Sequence, residues 1–195
     1  MTEKQVLALM SGAGALLEGH FRLSSGLHSP RYLQCAVALQ HPALAEQLGS
    51  ALATAWRSTA SATPDLVVSP ALGGLIIGHE TGRGLGIRAC FTERVEGVMT
   101  LRRGFRIEAE EGVLLVEDVI TTGRSTLETE AVVRQAGGKP LGVACIANRS
   151  DKERLGDLPL VSLVRLDIPA FEPAECPLCA AGEEVTKPGS RPTSS

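Results

Sequence analysis

Residues 113–126 run Val113-Leu114-Leu115-Val116-Glu117-Asp118-Val119-Ile120-Thr121-Thr122-Gly123-Arg124-Ser125-Thr126, and the rest of the chain is arranged around them. Four apolar residues open the stretch, β-branched at both ends. They predict a short strand of a parallel sheet covered on both faces. Two adjacent carboxylates, Glu117 and Asp118, follow. A turn of small residues comes next, and the pattern then predicts a helix over 127–135, stopped by Gly137 and Gly138.

Such a strand–turn–helix presents free backbone N–H groups and a partial positive charge at the helix N-terminus, which suits a phosphate. Thr121, Thr122 and Ser125 add hydroxyl donors, and Gly123 lets the backbone approach closely. The two carboxylates would repel a phosphate. They suit neighbouring hydroxyls instead, such as a ribose 2′-OH and 3′-OH. One loop would then hold a ribose and its 5′-phosphate together. Side-by-side acids at a buried strand end also need a polar partner, which a plain strand–turn–helix does not offer.

The stretch is not a Walker A loop, because Gly-Lys-Ser/Thr is missing, nor a dinucleotide fingerprint, because Gly-x-Gly-x-x-Gly is missing. It resembles the 5-phosphoribosyl-1-pyrophosphate (PRPP) motif of type I phosphoribosyltransferases: apolar strand, two acids, two residues, Thr-x-Gly-x-Ser/Thr. Glu117, Asp118, Val119, Ile120, Thr121, Thr122, Gly123, Arg124 and Ser125 fit every position. The resemblance implies that these nine residues bind PRPP.

The chain has 195 residues, which suggests one domain. A net charge of −3 argues against general nucleic-acid binding. No apolar run approaches the ~18 residues of a membrane span, and the N-terminus lacks a signal-peptide pattern. A cytoplasmic enzyme is the expectation. The five cysteines, Cys35, Cys90, Cys145, Cys176 and Cys179, are odd in number and scattered, unlike a secreted disulfide framework. Lysines stand only at 4, 139, 152 and 187, so between residues 5 and 138 every strong cation is an arginine.

Residues 2–17 predict a helix, with Thr2 and Gln5 at capping-box spacing. Residues 19–32 form a loop-and-strand segment in which Phe21 and Leu23 alternate with polar residues. Phe-x-Leu-x-Ser-Gly, then Ser29-Pro30 and Tyr32, resembles the N-terminal signature of orotate phosphoribosyltransferases. In that family the segment forms part of a hood over the base. The family often has a lysine just before Ser-Gly, where Ser24 stands here.

An amphipathic helix over 41–58 follows, with Pro42 in its first turn and Trp56 in the core or a subunit contact. Residues 65–69 predict a buried strand, and Pro70-Ala71-Leu72-Gly73-Gly74 turns into a helix over 75–83, a second anion seat. In type I phosphoribosyltransferases this is the pyrophosphate loop. The aromatic and lysine frequent there in the orotate family are replaced by Leu72 and Gly73. After a strand over 87–92, residues 93–105 predict an arginine-bearing loop or hairpin, with 105–107 as its return strand. The resemblance implies a catalytic lid here, with Arg94, Arg102 and Arg103 as candidate catalytic residues and Arg106 on the return strand.

A strand over 140–147 ends in Asn148-Arg149-Ser150. Arg149 occupies the position of the family's orotate-binding arginine, and a guanidinium binds a carboxylate bidentately. Thr121 is the second implied orotate contact. Residues 160–166 predict the last strand, and from Phe171 the chain is loop-like. Cys176-Pro177-Leu178-Cys179 is a single Cys-x-x-Cys; a zinc site needs two further ligands and no second pair exists, so no metal site is assigned. Residues 187–195 are Pro/Ser/Gly-rich and expected to fray.

The alternation of strands and helices predicts an α/β fold, a parallel sheet flanked by helices, with sites at the strand C-termini. The resemblance implies the type I phosphoribosyltransferase fold, with a hood over about 1–40, a core over about 41–170, one domain over 1–182 and a flexible tail from 183. It also implies orotate and PRPP as substrates, Mg²⁺ riding on the pyrophosphate and a homodimer. Two alternatives stay open: a phosphoribosyltransferase for a purine or uracil, and a non-catalytic PRPP-binding regulator.

Overall fold

Thr2 starts the first element. Its side chain accepts a hydrogen bond from the Gln5 N–H while the Gln5 side chain returns to the Thr2 N–H, a complete capping box. The computed structural model describes residues 1–23, 25–59 and 62–187. Ser24 and the expected fraying of 188–195 therefore lie outside the described residues.

Helix α1 (Glu3–Gly12) is shorter than the pattern predicts. Gly14 has φ of 71° and ends it, so Leu17 belongs to a strand. That strand, β1 (Leu16–Arg22), pairs antiparallel with β2 (His28–Leu33) as a separate two-stranded sheet, a hairpin at the segment where the resemblance implies the hood. A short helix α2 (Cys35–Leu39), not anticipated, leads into α3 (Pro42–Thr59). Then come β3 (Leu66–Pro70), α4 (Gly74–Leu85), β4 (Arg88–Val95), β5 (Val98–Leu101), β6 (Gly112–Ile120), α5 (Arg124–Gln135) and β7 (Lys139–Asn148). The two-residue β8 (Arg154–Leu155), also unanticipated, precedes β9 (Leu158–Arg165). The end of the described chain, expected to be loop-like, holds a 3₁₀ turn (Pro173–Glu175) and one helical turn, α6 (Pro177–Ala180).

Seven strands form one sheet in the order β5-β4-β3-β6-β7-β9-β8. The five central strands are parallel. The edge strands β5 and β8 are antiparallel, so the sheet is mixed rather than purely parallel. The predicted return strand at 105–107 is not a strand; β5 returns from β4 after a tight Glu96-Gly97 turn, where both residues have positive φ. The turn comes earlier than expected because Glu96-Gly97 supplies that geometry.

Alternation along the strands explains the two-sided core. Val67, Leu114 and Val116 face a cluster built with α1, α3 and α4, including Val6, Leu48, Leu52 and Ile77. Leu66, Val68, Val113 and Leu115 face the other side, against Val133 of α5 and Ile107. Trp56 is core, as one of the two expectations had it, packed so closely on Gly142 that a Cβ there would come within 2.4 Å of its ring. Truncating a fully buried residue of β6, such as Leu114→Ala, costs about 2–5 kcal/mol.

Among the central strands the chain visits β3, then β4 on one side, then β6 on the other side of β3. The connections leaving the C-terminal ends of β3 and β6 therefore run in opposite directions, and a crevice opens between them. This is the topological switch point, where open α/β sheets hold their ligands.

Candidate active site

Both strands at the switch point end in glycine-bearing loops, and the acids lie between them. Glu117 and Asp118 are the sixth and seventh residues of β6 rather than the start of a turn, because the ladder to β7 continues to Ile120. A Cβ on Gly73 would come within 2.7 Å of an Asp118 carboxylate oxygen, and one on Gly74 within 3.3 Å of Glu117 Oε1. The two loops are thus packed backbone to carboxylate, a contact that glycine alone permits. Asp118 Oδ1 accepts the Val119 N–H at 2.8 Å.

Glu117 is only 8% exposed, and burial with the neighbouring Asp118 carboxyl pushes it up to about 9. Burial raises Asp118 as well. The pair therefore keeps at least one proton near neutrality, as two acids sharing a desolvated site must.

Helix α5 starts at Arg124, three residues earlier than the sequence pattern predicts, so Arg124 and Ser125 lie in its first turn. Gly123 precedes it with φ of 77° and has no side chain to cap the helix, and Thr122 Oγ1 accepts the Arg124 N–H at 3.4 Å. The helix's first N–H groups point into the loop of Thr121 and Thr122, both exposed. A Cβ on Gly123 would strike Leu155 of β8 at 2.3 Å. Val119 and Ile120 turn their side chains to opposite core clusters, leaving their backbone to the loop. Of the nine motif residues, the structure brings the acids, the hydroxyls and the helix terminus to one edge of the sheet.

The β3 loop contributes a second helix start. Gly73 precedes α4 with no side-chain cap, the Ala71–Leu72 peptide is cis, and Leu72 is exposed.

The candidate lid is the β4–β5 hairpin and the turn after it. Each of its predicted catalytic arginines is paired with a carboxylate. Arg94 binds Glu128 of α5, which also holds Arg124 at 2.9 Å. Arg103 grips Glu93 through two bonds of 3.0 and 3.1 Å and lies over the Phe91 ring; Arg102 reaches Glu93 at 3.7 Å. Arg106 is exposed, and its carbonyl accepts from Arg88. Sequence reading missed Glu128, which ties the hairpin to the Thr121–Ser125 loop. Its partner is 34 residues away, and no local pattern marks such a link.

Arg149 follows β7, and its N–H donates to the Ile120 carbonyl at 2.7 Å, which fixes it beside the motif loop. Its Nε is buried with no partner among the described residues, and desolvation lowers its pKa. The side chain lines a cavity of ≈ 330 Å³ with Asn148, Ser150, Asp151, Arg165, Leu166 and Asp167. Asn148, also missed, shapes the turn: its Oδ1 accepts both the N–H and Oγ of Ser150, at 2.9 and 2.7 Å. A larger hollow of ≈ 520 Å³ along α1 and α3, lined by Met1, Gln5, Ala8, Leu9 and Gln47, offers no ionisable side chain.

The Cys-x-x-Cys is not isolated in space. His20 of β1 and His28 of β2 lie against Cys176 and Cys179, and the four ligand atoms fall within 4.8 Å of one another. This neighbourhood of His20 and His28 was invisible in sequence because they stand some 150 residues upstream of the cysteines.

Residues 38–172 match the phosphoribosyl transferase domain family. The chain is 46% identical to the orotate phosphoribosyltransferase of Heliobacterium modesticaldum over 98% of its length and 100% of that protein's. It is 49% identical to that of Rhizorhabdus wittichii, covering 98% and 97%. The fold superposes on orotate phosphoribosyltransferase of Mycobacterium tuberculosis, solved with inorganic phosphate, with a TM-score of 0.65 at 20% identity, covering 84% of this chain and 96% of that one. Leishmania donovani UMP synthase gives 0.66 at 16% identity, covering 83% and 36%. With full-length identity at this level, and with the acid pair and glycine loops meeting at the switch point of the matching fold, the chain belongs to the orotate phosphoribosyltransferase family.

Proposed function

We propose that the chain transfers the 5-phosphoribosyl group of PRPP to orotate, giving orotidine 5′-monophosphate and pyrophosphate in de novo UMP synthesis. The observation that carries this reading is the joining of Arg149 to the motif loop through the Ile120 carbonyl. A guanidinium with a buried, unpartnered Nε stands beside a phosphate-type loop, and orotate is the pyrimidine that brings a carboxylate.

In this reading Glu117 and Asp118 hold the ribose hydroxyls. The hydroxyls and N–H groups of Thr121–Ser125 and the α5 terminus hold the 5′-phosphate. The Gly73–Gly74 loop takes the pyrophosphate through backbone N–H groups. Arg149, with Thr121, orients orotate. Catalysis is positioning plus charge stabilisation of an oxocarbenium-like ribosyl centre as the pyrophosphate departs. Arg94, Arg102 and Arg103 exchange their carboxylate partners for the pyrophosphate when the hairpin closes.

The donor set fits a Mg²⁺ carried mainly on substrate oxygens and water: at the crevice Glu117 is buried and Asp118 half-buried, and the pair holds a proton, which suits hydroxyls better than a protein-caged cation. When bound, Mg²⁺ would neutralise charge on the departing pyrophosphate. The active species is proposed to be a cytoplasmic homodimer in which the hairpin reaches the neighbour's site. Light scattering tests the dimer. Among the described residues, no helix is long and apolar enough to cross a membrane.

The test is orotate consumption followed by ultraviolet absorbance with PRPP and Mg²⁺. PRPP-dependent loss of orotate with pyrophosphate release is expected. Turnover with a purine or uracil alone, or PRPP binding without turnover on any base, refutes the reading.

A further inference from the structure

We propose that His20, His28, Cys176 and Cys179 form a structural zinc site that fastens the hood hairpin to the C-terminal segment. The four atoms have the spacing of a coordination shell. His20 Nε2 lies 2.9 Å from His28 Nδ1, 3.5 Å from Cys176 Sγ and 3.7 Å from Cys179 Sγ; His28 Nδ1 lies 3.2 Å from Cys179 Sγ. Tetrahedral zinc with ordinary Zn–N and Zn–S bonds requires ligand atoms about 3.3–3.8 Å apart. The two shortest separations must open by a few tenths of an ångström, and the widest, up to 4.8 Å, must close by about 1 Å to seat the ion, movements within reach of side-chain rotation.

The surrounding hydrogen bonds prepare the ligands. His20 Nδ1 lies 2.9 Å from the Glu183 carbonyl, so the ring proton belongs on Nδ1 and the Nε2 lone pair is bare toward the cluster. That lone pair, a second imidazole and two thiols converge on one point. Two sulfurs and two nitrogens in a closed set select zinc over harder cations, and four protein ligands leave no open position for catalysis. On binding, each thiol gives its proton to solvent and the thiolates ligate.

The topology gives the site its work. The chain past β9 pairs with both edges of the hairpin: Phe171 exchanges two backbone hydrogen bonds with His28, each 2.8 Å, and the Thr186 N–H donates to the His20 carbonyl at 2.8 Å. The segment between these two attachments carries Cys176 and Cys179 across to His20 and His28. Cys176 is buried, and both histidines are buried with it. The ion would tie β1, β2 and the C-terminal segment at their common crossing.

The experiment uses the full chain purified without added chelator. Metal analysis is expected to find one zinc per chain. The metal-free chain, prepared with a mercurial and chelator and then reduced, is titrated with Co²⁺. Thiolate-to-cobalt charge transfer and the strong visible bands of tetrahedral cobalt should appear, saturating at one equivalent. They should be lost in Cys179→Ser, and the thermal midpoint should rise on metal addition. A folded chain that carries no zinc and gives no tetrahedral cobalt bands overturns the proposal, as does a spectrum unchanged in Cys179→Ser. Because the cobalt titration is made on the unmutated chain, a variant that fails to fold does not decide the matter.

Discussion

Replacing Glu117 with glutamine should flatten part of the protein's stability-versus-pH curve. Burial and Asp118 push Glu117 from an ordinary value of 4.5 up to about 9. Between those values the folded chain holds a proton that the unfolded chain has released. Stability must therefore fall as pH rises, by about 1.4 kcal/mol per unit for one proton. Between about pH 6 and 8 the wild-type chain should lose about 3 kcal/mol through the proton held by this acid pair. The Glu117→Gln amide has no proton to lose, and the other titrating groups are common to both proteins. At a slope of about 2–3 kcal/mol per molar urea, the wild-type midpoint should drop by about 1 M more than the variant's over that interval. Urea titrations of both proteins at the two pH values make the comparison. Parallel midpoints would show that Glu117 is ionised in the folded chain, and the reasoning on a protonated acid pair would fall.

The same proton links to substrate, since ribose hydroxyls donate to a carboxylate and favour its charged form; PRPP binding near pH 7.5 should release up to one proton, seen as a dependence of the calorimetric heat on buffer ionisation enthalpy. Arg149→Ala should lower kcat/KM for orotate at least tenfold, from a charged hydrogen bond worth about 1.5–3 kcal/mol, while PRPP affinity stays near wild type. Unchanged orotate kinetics would move the base-binding role elsewhere. Gly123→Ala should weaken PRPP binding and lower the thermal midpoint, because alanine at φ of 77° costs about 1–2 kcal/mol and its Cβ meets Leu155. Adding Leu155→Ala should restore only the steric part. Alanine placed singly at Arg94, Arg102 and Arg103 should reduce kcat by roughly 10²–10³ at the arginine that meets the pyrophosphate and little at the others; three equal, small effects would remove the hairpin from catalysis.

The parts of this molecule legible in its sequence are those whose physics is local. The Thr2–Gln5 capping box needs four residues and is present as read. The strand of 113–116 announces its two-sided burial by unbroken hydrophobicity, and Val113 to Val116 divide between the two cores. The glycines at 73 and 123 mark loops that meet a helix start. Local reading failed where a distant partner decides. Leu17 continues the apolar stripe of a helix yet pairs across to Tyr32. Phe105 looks like a strand residue, but the positive-φ turn at Glu96-Gly97 had already brought the chain back, and its ring packs on Phe91. The ion pairs that hold the candidate lid arginines span 9, 10 and 34 residues, beyond the reach of the i,i+3 and i,i+4 neighbours that a helix pattern reveals.

The cysteine pair is the sharpest case, because spacing arguments treat a ligand set as a sequence pattern when it is a spatial one. A two-stranded hairpin is at best marginally stable alone. Here Phe21 is the buried apolar side chain of β1, while β2 buries His28 and Ser29. The hood cannot be held by apolar burial on the scale available to β6. Leu16 and Leu33 pack its base on the core, and at its far end the contacts include polar ones: backbone bonds to Phe171 and Thr186, the Ser29 hydroxyl on the Pro169 carbonyl at 2.9 Å, and the histidine–cysteine cluster. A device of this kind concentrates its fastening at one crossing. That accounts for ligands split between the first 28 residues and the last 20, joined across a domain whose own core needs neither.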